Sequence, residues 1–185
     1  MYFNETTLAF FGSVGAHITT LELPCSIADL APVAINIMVT EGAASYGALA
    51  TDLTKPMDSG IRPRLQAGAK LLATDYIAAL DKQTLLKKQF AKALEQIDIF
   101  ATPTGLTTAV PLTEVNPTAP PVHFTRIFNV LDMCGVSVPV GSDTQNLPIG
   151  FQLGAAGGQD AFLIEVATAF QVLTQFHLES PKPHS

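Results

Sequence analysis

One stretch of the chain leaves fewer folding options than any other. Residues 124–171 read FTRIFNVLDMCGVSVPVGSDTQNLPIGFQLGAAGGQDAFLIEVATAFQ, and within them helical and strand periods succeed one another. Phe124, Ile127, Phe128 and Leu131 recur at helical spacing, which predicts a short amphipathic helix. Two short strands, Val136 to Pro139 and Ile149 to Leu153, then flank a polar turn. Proline has no N–H to place in a ladder, so the first strand is expected to end at Pro139. The turn from Gly141 to Asn146 holds residues that tolerate unusual backbone angles. Gly154 to Gly158 opens a further helix, in which Phe162, Leu163, Val166, Phe170 and Leu173 recur at steps of three and four.

Upstream, Thr6 to Val14 is a short helical pattern ended by Gly15, a residue suited to a left-handed cap, and the β-branched run from His17 to Leu23 predicts a strand. Ser26 and Asp29 have capping-box spacing, with Asp in place of Glu, and Leu30 to Leu49 continues helically with Pro32 in the first turn. After a polar loop, Ile61 to Gly68 predicts a short helix stopped at Gly68. A long helix runs from Thr74 through Gln96, with Tyr76, Ala79, Leu80, Leu86, Phe90 and Leu94 on its apolar face and Lys82, Lys87, Lys88 and Lys92 on a solvated one. Ile97 to Ala101, closed by Pro103, has the continuous apolar pattern of a strand buried on both faces of a parallel or mixed sheet. The eighteen residues from Gly105 to Val122 contain four prolines and no period, which predicts a lid or rim, and Glu179 to Ser185 read as a frayed tail.

Thr125, Asn129, Ser137, Val138, Pro139, Gly141, Leu147, Pro148, Gly150, Gln152 and Leu153 together resemble the C-terminal end of amidase signature enzymes. There an Asn-bearing helix runs into a small-x-Ser-Val-Pro-x-Gly strand and then Leu-Pro-x-Gly-x-Gln-Leu. Gly15-Ala16 to Leu23-Pro24, Arg64, Gly68, Asp75, Tyr76, Ala79 and the run from Ile97 to Thr104 match the family upstream, while Gln83 stands where an Arg is usual. Glu41 occupies a Glu-Ala-Ala context in which the family has an acid, and its expected role is to orient neighbouring backbone. The family usually has Gly-x-Pro before the strand; Leu131 to Gly135 is a variant closer to the allophanate hydrolase and related small-amide branches.

The resemblance implies an α/β fold, with residues 1–185 as the C-terminal part of an α/β/α domain whose mixed central sheet is covered by helices. It implies that Met1 falls inside a helix that begins earlier, and that the catalytic Lys and two Ser lie in a Gly-Ser-rich signature N-terminal to everything matched. The expected partners are therefore a missing N-terminal half or partner chain and, for the complete enzyme, a small amide or urea-type substrate. In the family the helix-to-strand junction approaches the acyl site. Asn129, Leu131, Asp132, Met133 and Cys134 are accordingly the candidates for lining the substrate pocket, with Asn129 and Asp132 able to orient an amide. The other reading has Asn129 capping local backbone and Asp132 simply exposed. Arg64 is a candidate partner for a substrate carboxylate, or else a surface arginine.

The residues themselves exclude several classes. A net charge of −6 with three arginines argues against nucleic acid, which is held through clustered Lys and Arg. No apolar run approaches the roughly 20 residues of a membrane span; the longest, Leu30 to Val39, is interrupted by Asn36. The N-terminus lacks a secretory signal, so a cytoplasmic chain is expected. Cys25 and Cys134 show no Cys-x-x-Cys spacing and read as buried reduced thiols, and no His/Asp/Glu pattern suggests a metal or other cofactor. The serines are scattered, without a Gly-x-Ser-x-Gly elbow. Cys134 with His123 is a candidate thiol and imidazole pair for a nucleophile and its base, and His17 reads as a core strand residue.

Charged residues make up 14% of the chain, against roughly 25% for a typical domain. A chain so poor in charge is expected to expose apolar surface and to associate, dimerisation included. The competing class is a non-catalytic interaction or complementation module, separately encoded or decayed.

Overall fold

Three strands, β1 (Phe100–Pro103), β2 (Cys134–Ser142) and β3 (Pro148–Ala155), form a sheet of order β1-β3-β2 in the computed structural model, which describes residues 5–116 and 121–179. Both pairings are antiparallel. The helices are α1 (Glu5–Ser13), α2 (Ala31–Thr51), α3 (Arg62–Gly68), α4 (Ala73–Ala93), α5 (Arg126–Leu131) and α6 (Asp160–Thr174), with 3-10 turns at Ile27–Leu30, Leu112–Glu114 and Phe176–Leu178.

Strand alternation gives the sheet two faces, and a core covers each. Phe151, Leu153 and Ala155 join Val138 and Val140 under Leu163, Ala167 and Phe170 of α6, and Phe11 of α1 stacks on Phe170 with ring centres 5.3 Å apart. On the opposite face Phe100 packs with Ile127, Val130 and Leu131 of α5, Leu86 and Phe90 of α4, and Leu30 and Val33 at the start of α2. Helices on both faces of a sheet make the fold α/β. The second face admits Phe128 because two strand positions have no side chain. A Cβ on Gly154 would lie 2.5 Å from the Phe128 ring, and one on Gly135 would lie 2.9 Å from it.

Local signals account for several elements. Ser26 Oγ accepts from the Asp29 N–H at 3.3 Å, and Asp29 Oδ2 accepts from the Ser26 N–H at 3.1 Å, completing the capping box. This box caps the 3-10 turn that leads into α2, with Pro32 in the first turn of the helix. Gly15, at φ +96°, ends α1 in a Schellman arrangement: the Ala16 N–H reaches Phe11 O and the Gly15 N–H reaches Gly12 O.

Other expectations are corrected. His17 to Leu23 is irregular, with His17 exposed, because no described strand lies alongside to pair with it. β2 continues past Pro139 to Ser142. It is an edge strand among the described residues, and its register shifts between Pro139 and Ser142, two settings in which a missing N–H is tolerated. β1 begins at Phe100 instead of Ile97 and is antiparallel to its neighbour. α4 ends at Ala93. Residues 117–120 of the proline-rich loop, residues 180–185 of the tail and residues 1–4 lie outside the described residues.

Ile27–Thr51 forms a helical segment that is, by length and composition, apolar enough to cross a membrane, with a mean hydropathy of 1.3. The length of an uninterrupted apolar run does not reveal it, because Asn36, Thr40 and Glu41 break the sequence without lowering the average enough. Within this fold α2 is a packing helix. α3 rests against it so closely that a Cβ on Gly68 would lie 1.9 Å from Val39 O. Gly68 therefore owes its identity to this approach, and the helix stop is secondary. Arg62 fastens the end of α2, donating from Nη1 to Ala50 O at 2.8 Å and Asp52 O at 3.1 Å. Glu41 accepts a 3.0 Å hydrogen bond from the Tyr76 hydroxyl of α4, so it binds a side chain where backbone was expected; that bond raises the phenol pKa.

Candidate functional site

Two features of the sheet face beneath α4 and α5 bear on function. The first is a cavity of about 410 Å³ where β3 ends, β1 begins and α5 turns into β2. Phe90, Leu94, Phe100, Leu131 and Met133 form its apolar walls, and Lys87, Glu95 and Asp98 also line it. Of the six candidates from sequence, Leu131 and Met133 reach this cavity.

Asp132 sits between those two. It ends α5 in the left-handed conformation (φ 51°, ψ 44°), with its carboxylate exposed and ion-paired to Lys87. Left-handed backbone favours Gly, and Asp is among the few other residues that tolerate it. Gly157 approaches so closely that a Cβ there would lie 2.4 Å from Asp132 O. Sequence alone puts Lys87 on a solvated face; its role depends on a partner 45 residues away. Gln83, one turn earlier on α4, donates to Val130 O at 3.0 Å and ties α4 to α5.

The other candidates lie elsewhere. Cys134 is buried at the start of β2, its thiol donating to Ala156 O at 3.2 Å and Ala155 O at 3.5 Å. Asn129 is exposed on α5, and Arg64 is half-buried on α3, outside the cavity lining. The His123 ring packs edge-on to Phe124, with centres 4.7 Å apart. Cys134 and His123 form no hydrogen bond with each other.

The second feature is a polar cluster at the other end of the same sheet face. Gln152 Nε2 donates to Thr102 Oγ1 at 2.7 Å, and Thr104 Oγ1 and Ser137 Oγ are 2.6 Å apart. Gly150 lies beneath the hydroxyl pair: a Cβ there would be 2.8 Å from Thr104 Oγ1 and 3.2 Å from Ser137 Oγ. Sequence matching singles out Ser137, Gly150 and Gln152 as motif members, but nothing local shows that β1 brings Thr102 and Thr104 to them.

The turn joining β2 to β3 is held by Asp143. Thr108 donates its hydroxyl to Oδ2 at 2.7 Å, and the Leu147 and Gln145 N–H groups donate to Oδ1 at 2.9 and 2.8 Å. The Thr108 hydroxyl, followed by the Leu147 N–H, holds this carboxyl below its usual pKa. Burial pushes the Cys25 thiol pKa up. Among the described residues no group of three or more His, Cys, Asp and Glu could hold a metal ion.

The sequence model of the family described as Amidase matches residues 13–164. The chain belongs to the amidase family. Relatives include a glutamyl-tRNA(Gln) amidotransferase subunit from Thermosynechococcus vestitus, 35% identical over 133 residues, covering 66% of this chain and 27% of that protein. Its counterpart in a Geobacter species is 26% identical over 202 aligned positions, covering 95% and 42%. The chain thus spans well under half the length of the curated relatives it matches.

Solved structures share the amidase signature fold. A crystal structure of an amidase superposes with a TM-score of 0.80 at 20% identity, over 91% of this chain and 40% of that one. Kluyveromyces lactis allophanate hydrolase gives 0.73 at 22% identity, over 90% and 28%. An amidase needs an activated nucleophile. Among the described residues no Ser, Thr or Cys side chain is hydrogen-bonded to a Lys or His: Cys134 faces carbonyls, and Ser137 faces Thr104.

Proposed function

We propose that this chain forms the C-terminal part of an amidase that hydrolyses a carboxamide or urea-type C–N bond in the cytoplasm. It acts with a catalytic part supplied by further protein and is inert alone. One observation carries the reading: the family match extends over residues 13–164, yet none of the described Ser, Thr and Cys side chains is hydrogen-bonded to a Lys or His. Relatives named as amidotransferase, amidase and aryl acylamidase support amide chemistry. Leu131, Met133 and the cavity they line are the proposed apolar wall of the substrate pocket. Asp132 and Asn129 are its proposed polar margin, with Cys134 beneath and Arg64 more distant.

The test is turnover of acetamide and benzamide by the purified 185-residue chain. No activity above background is expected, since binding walls without nucleophile and base retain little rate enhancement. Steady turnover abolished by Cys134→Ser would overturn the reading in favour of a thiol nucleophile.

A second reading, an interaction or complementation module, is favoured by uncovered apolar side chains on α2. Ile35 is 44% exposed, Met38 54% and Tyr46 60%. Both readings have this face meeting further protein. Sedimentation of the chain alone is expected to show dimers or larger species that bind hydrophobic dyes. A dye-silent monomer at tens of micromolar, a concentration chosen as an order of magnitude at which exposed patches associate, would count against both.

A further inference from the structure

We propose that Gln152, Ser137 and Thr104 form a recognition site for a planar amide group of the substrate, a proposal that rests on the amide-hydrolase reading above. Ser137 of β2 lies opposite Gln152 of β3, and Thr104, just past the end of β1, meets Ser137 over the side-chain-free Gly150.

Hydrogen counting assigns the role of each. Thr102 has one hydroxyl hydrogen and donates it to Pro103 O at 3.1 Å, so toward Gln152 it can only accept. That orients the Gln152 amide, with Nε2 on Thr102 Oγ1 and Oε1 turned away. Gln152 is 3% exposed, and its Oε1 accepts no hydrogen bond from any described residue. Since no buried side-chain oxygen among the described residues is left without a partner, Oε1 lies where solvent or a ligand reaches it. The Thr104 and Ser137 hydroxyls carry two hydrogens and share one hydrogen bond, which leaves one O–H to donate outward.

The site therefore offers the Oε1 acceptor and a hydroxyl donor, neither of them charged. An amide presents the complement, an N–H and a C=O on one plane. A carboxylate lacks the N–H and would meet Oε1 with like partial charge. Gly150 lets the two hydroxyls close together over the strand, since a Cβ there would lie 2.8 Å from Thr104 Oγ1 and 3.2 Å from Ser137 Oγ.

The test is an NMR titration of the 185-residue chain with benzamide, with N,N-dimethylbenzamide and benzoate as comparators. Benzamide is expected to shift the backbone amides of Ser137 and Gly150 and the side-chain NH2 of Gln152. Both comparators are expected to bind at least about tenfold more weakly, the worth of one buried hydrogen bond. Gln152→Met should lower benzamide affinity by a similar factor. Ser137→Ala, at an exposed position, provides the same reading should the buried substitution disturb folding. Equal binding of benzamide and its dimethyl derivative, or shifts confined to the cavity at Leu131 and Met133, would overturn the assignment.

Binding and turnover are read separately. Activity of the chain alone would sink the proposed function and leave this binding result standing. In a complemented enzyme Gln152→Met is expected to raise KM for the amide while the two parts still assemble. Weakened assembly with unchanged KM would give the site to a backbone amide of the catalytic part and overturn the substrate assignment.

Discussion

Thr104 Oγ1 and Ser137 Oγ lie 2.6 Å apart, joined across the strand that separates them. Thr104 directly follows β1, Ser137 belongs to β2, and β3 runs between; the contact exists because β3 places Gly150 at the crossing. Thr104 is anchored there by its own N–H, which donates to Gly150 O at 3.0 Å.

Gly150→Ala should break this pair. The new methyl would come within 2.9 Å of Thr104 Cβ as well as its hydroxyl, and a β-branched side chain anchored through its backbone has little room to yield. A loss of about 1–2 kcal/mol in urea unfolding is expected from overpacking and the lost hydrogen bond. An unchanged midpoint, with unshifted Thr104 side-chain resonances, would show that the strand accommodates the methyl.

Gly68→Ala should cost more, about 3 kcal/mol, because the methyl meets a backbone carbonyl and not a movable side chain. Val39 O cannot rotate away, so α3 must separate from α2. The same measurement checks it, and a loss smaller than that of Gly150→Ala would contradict the packing argument.

Asp132 sets a backbone preference against an ion pair. Gly relieves the left-handed strain of roughly 1 kcal/mol, while the exposed pair with Lys87 contributes roughly 0–1 kcal/mol. Asp132→Gly should therefore be neutral or stabilising, whereas Asp132→Ala loses the pair and keeps the strain. Urea midpoints ordered with Ala above Gly would refute this.

Asp143 predicts a local pH dependence. Its pKa is lower in the folded chain than in the unfolded one, so its contribution to stability is present above the unfolded carboxylate value and is lost as pH falls through the folded value. Hydrogen exchange of the Leu147 and Gln145 amides should accelerate relative to other strand amides as the solution is acidified through that window. Asp143→Asn should flatten the effect. A turn whose protection ignores acidification in the unsubstituted chain would remove the carboxylate from this role.

Much of the fold is legible in the sequence wherever the determining contacts span a few residues. Ser26 and Asp29 close their capping box over three positions, Gly15 caps α1, and the alternation from Phe124 to Gln171 specifies helix, strand, turn, strand and helix in the order observed. The motif residues of β2 and β3 likewise point to the amidase family before any geometry is known.

Tertiary structure decided what depends on neighbours distant in the chain. The β-branched run from His17 to Leu23 has strand propensity but no partner alongside, and propensity without a ladder does not make a strand. Lys87 and Asp132 meet across 45 residues, and Gln152 and Thr102 across 50. Helical and capping preferences act within about one turn of backbone and so can be read in sequence order. Which hydroxyl faces which amide is fixed only when strands and helices from separate stretches settle side by side.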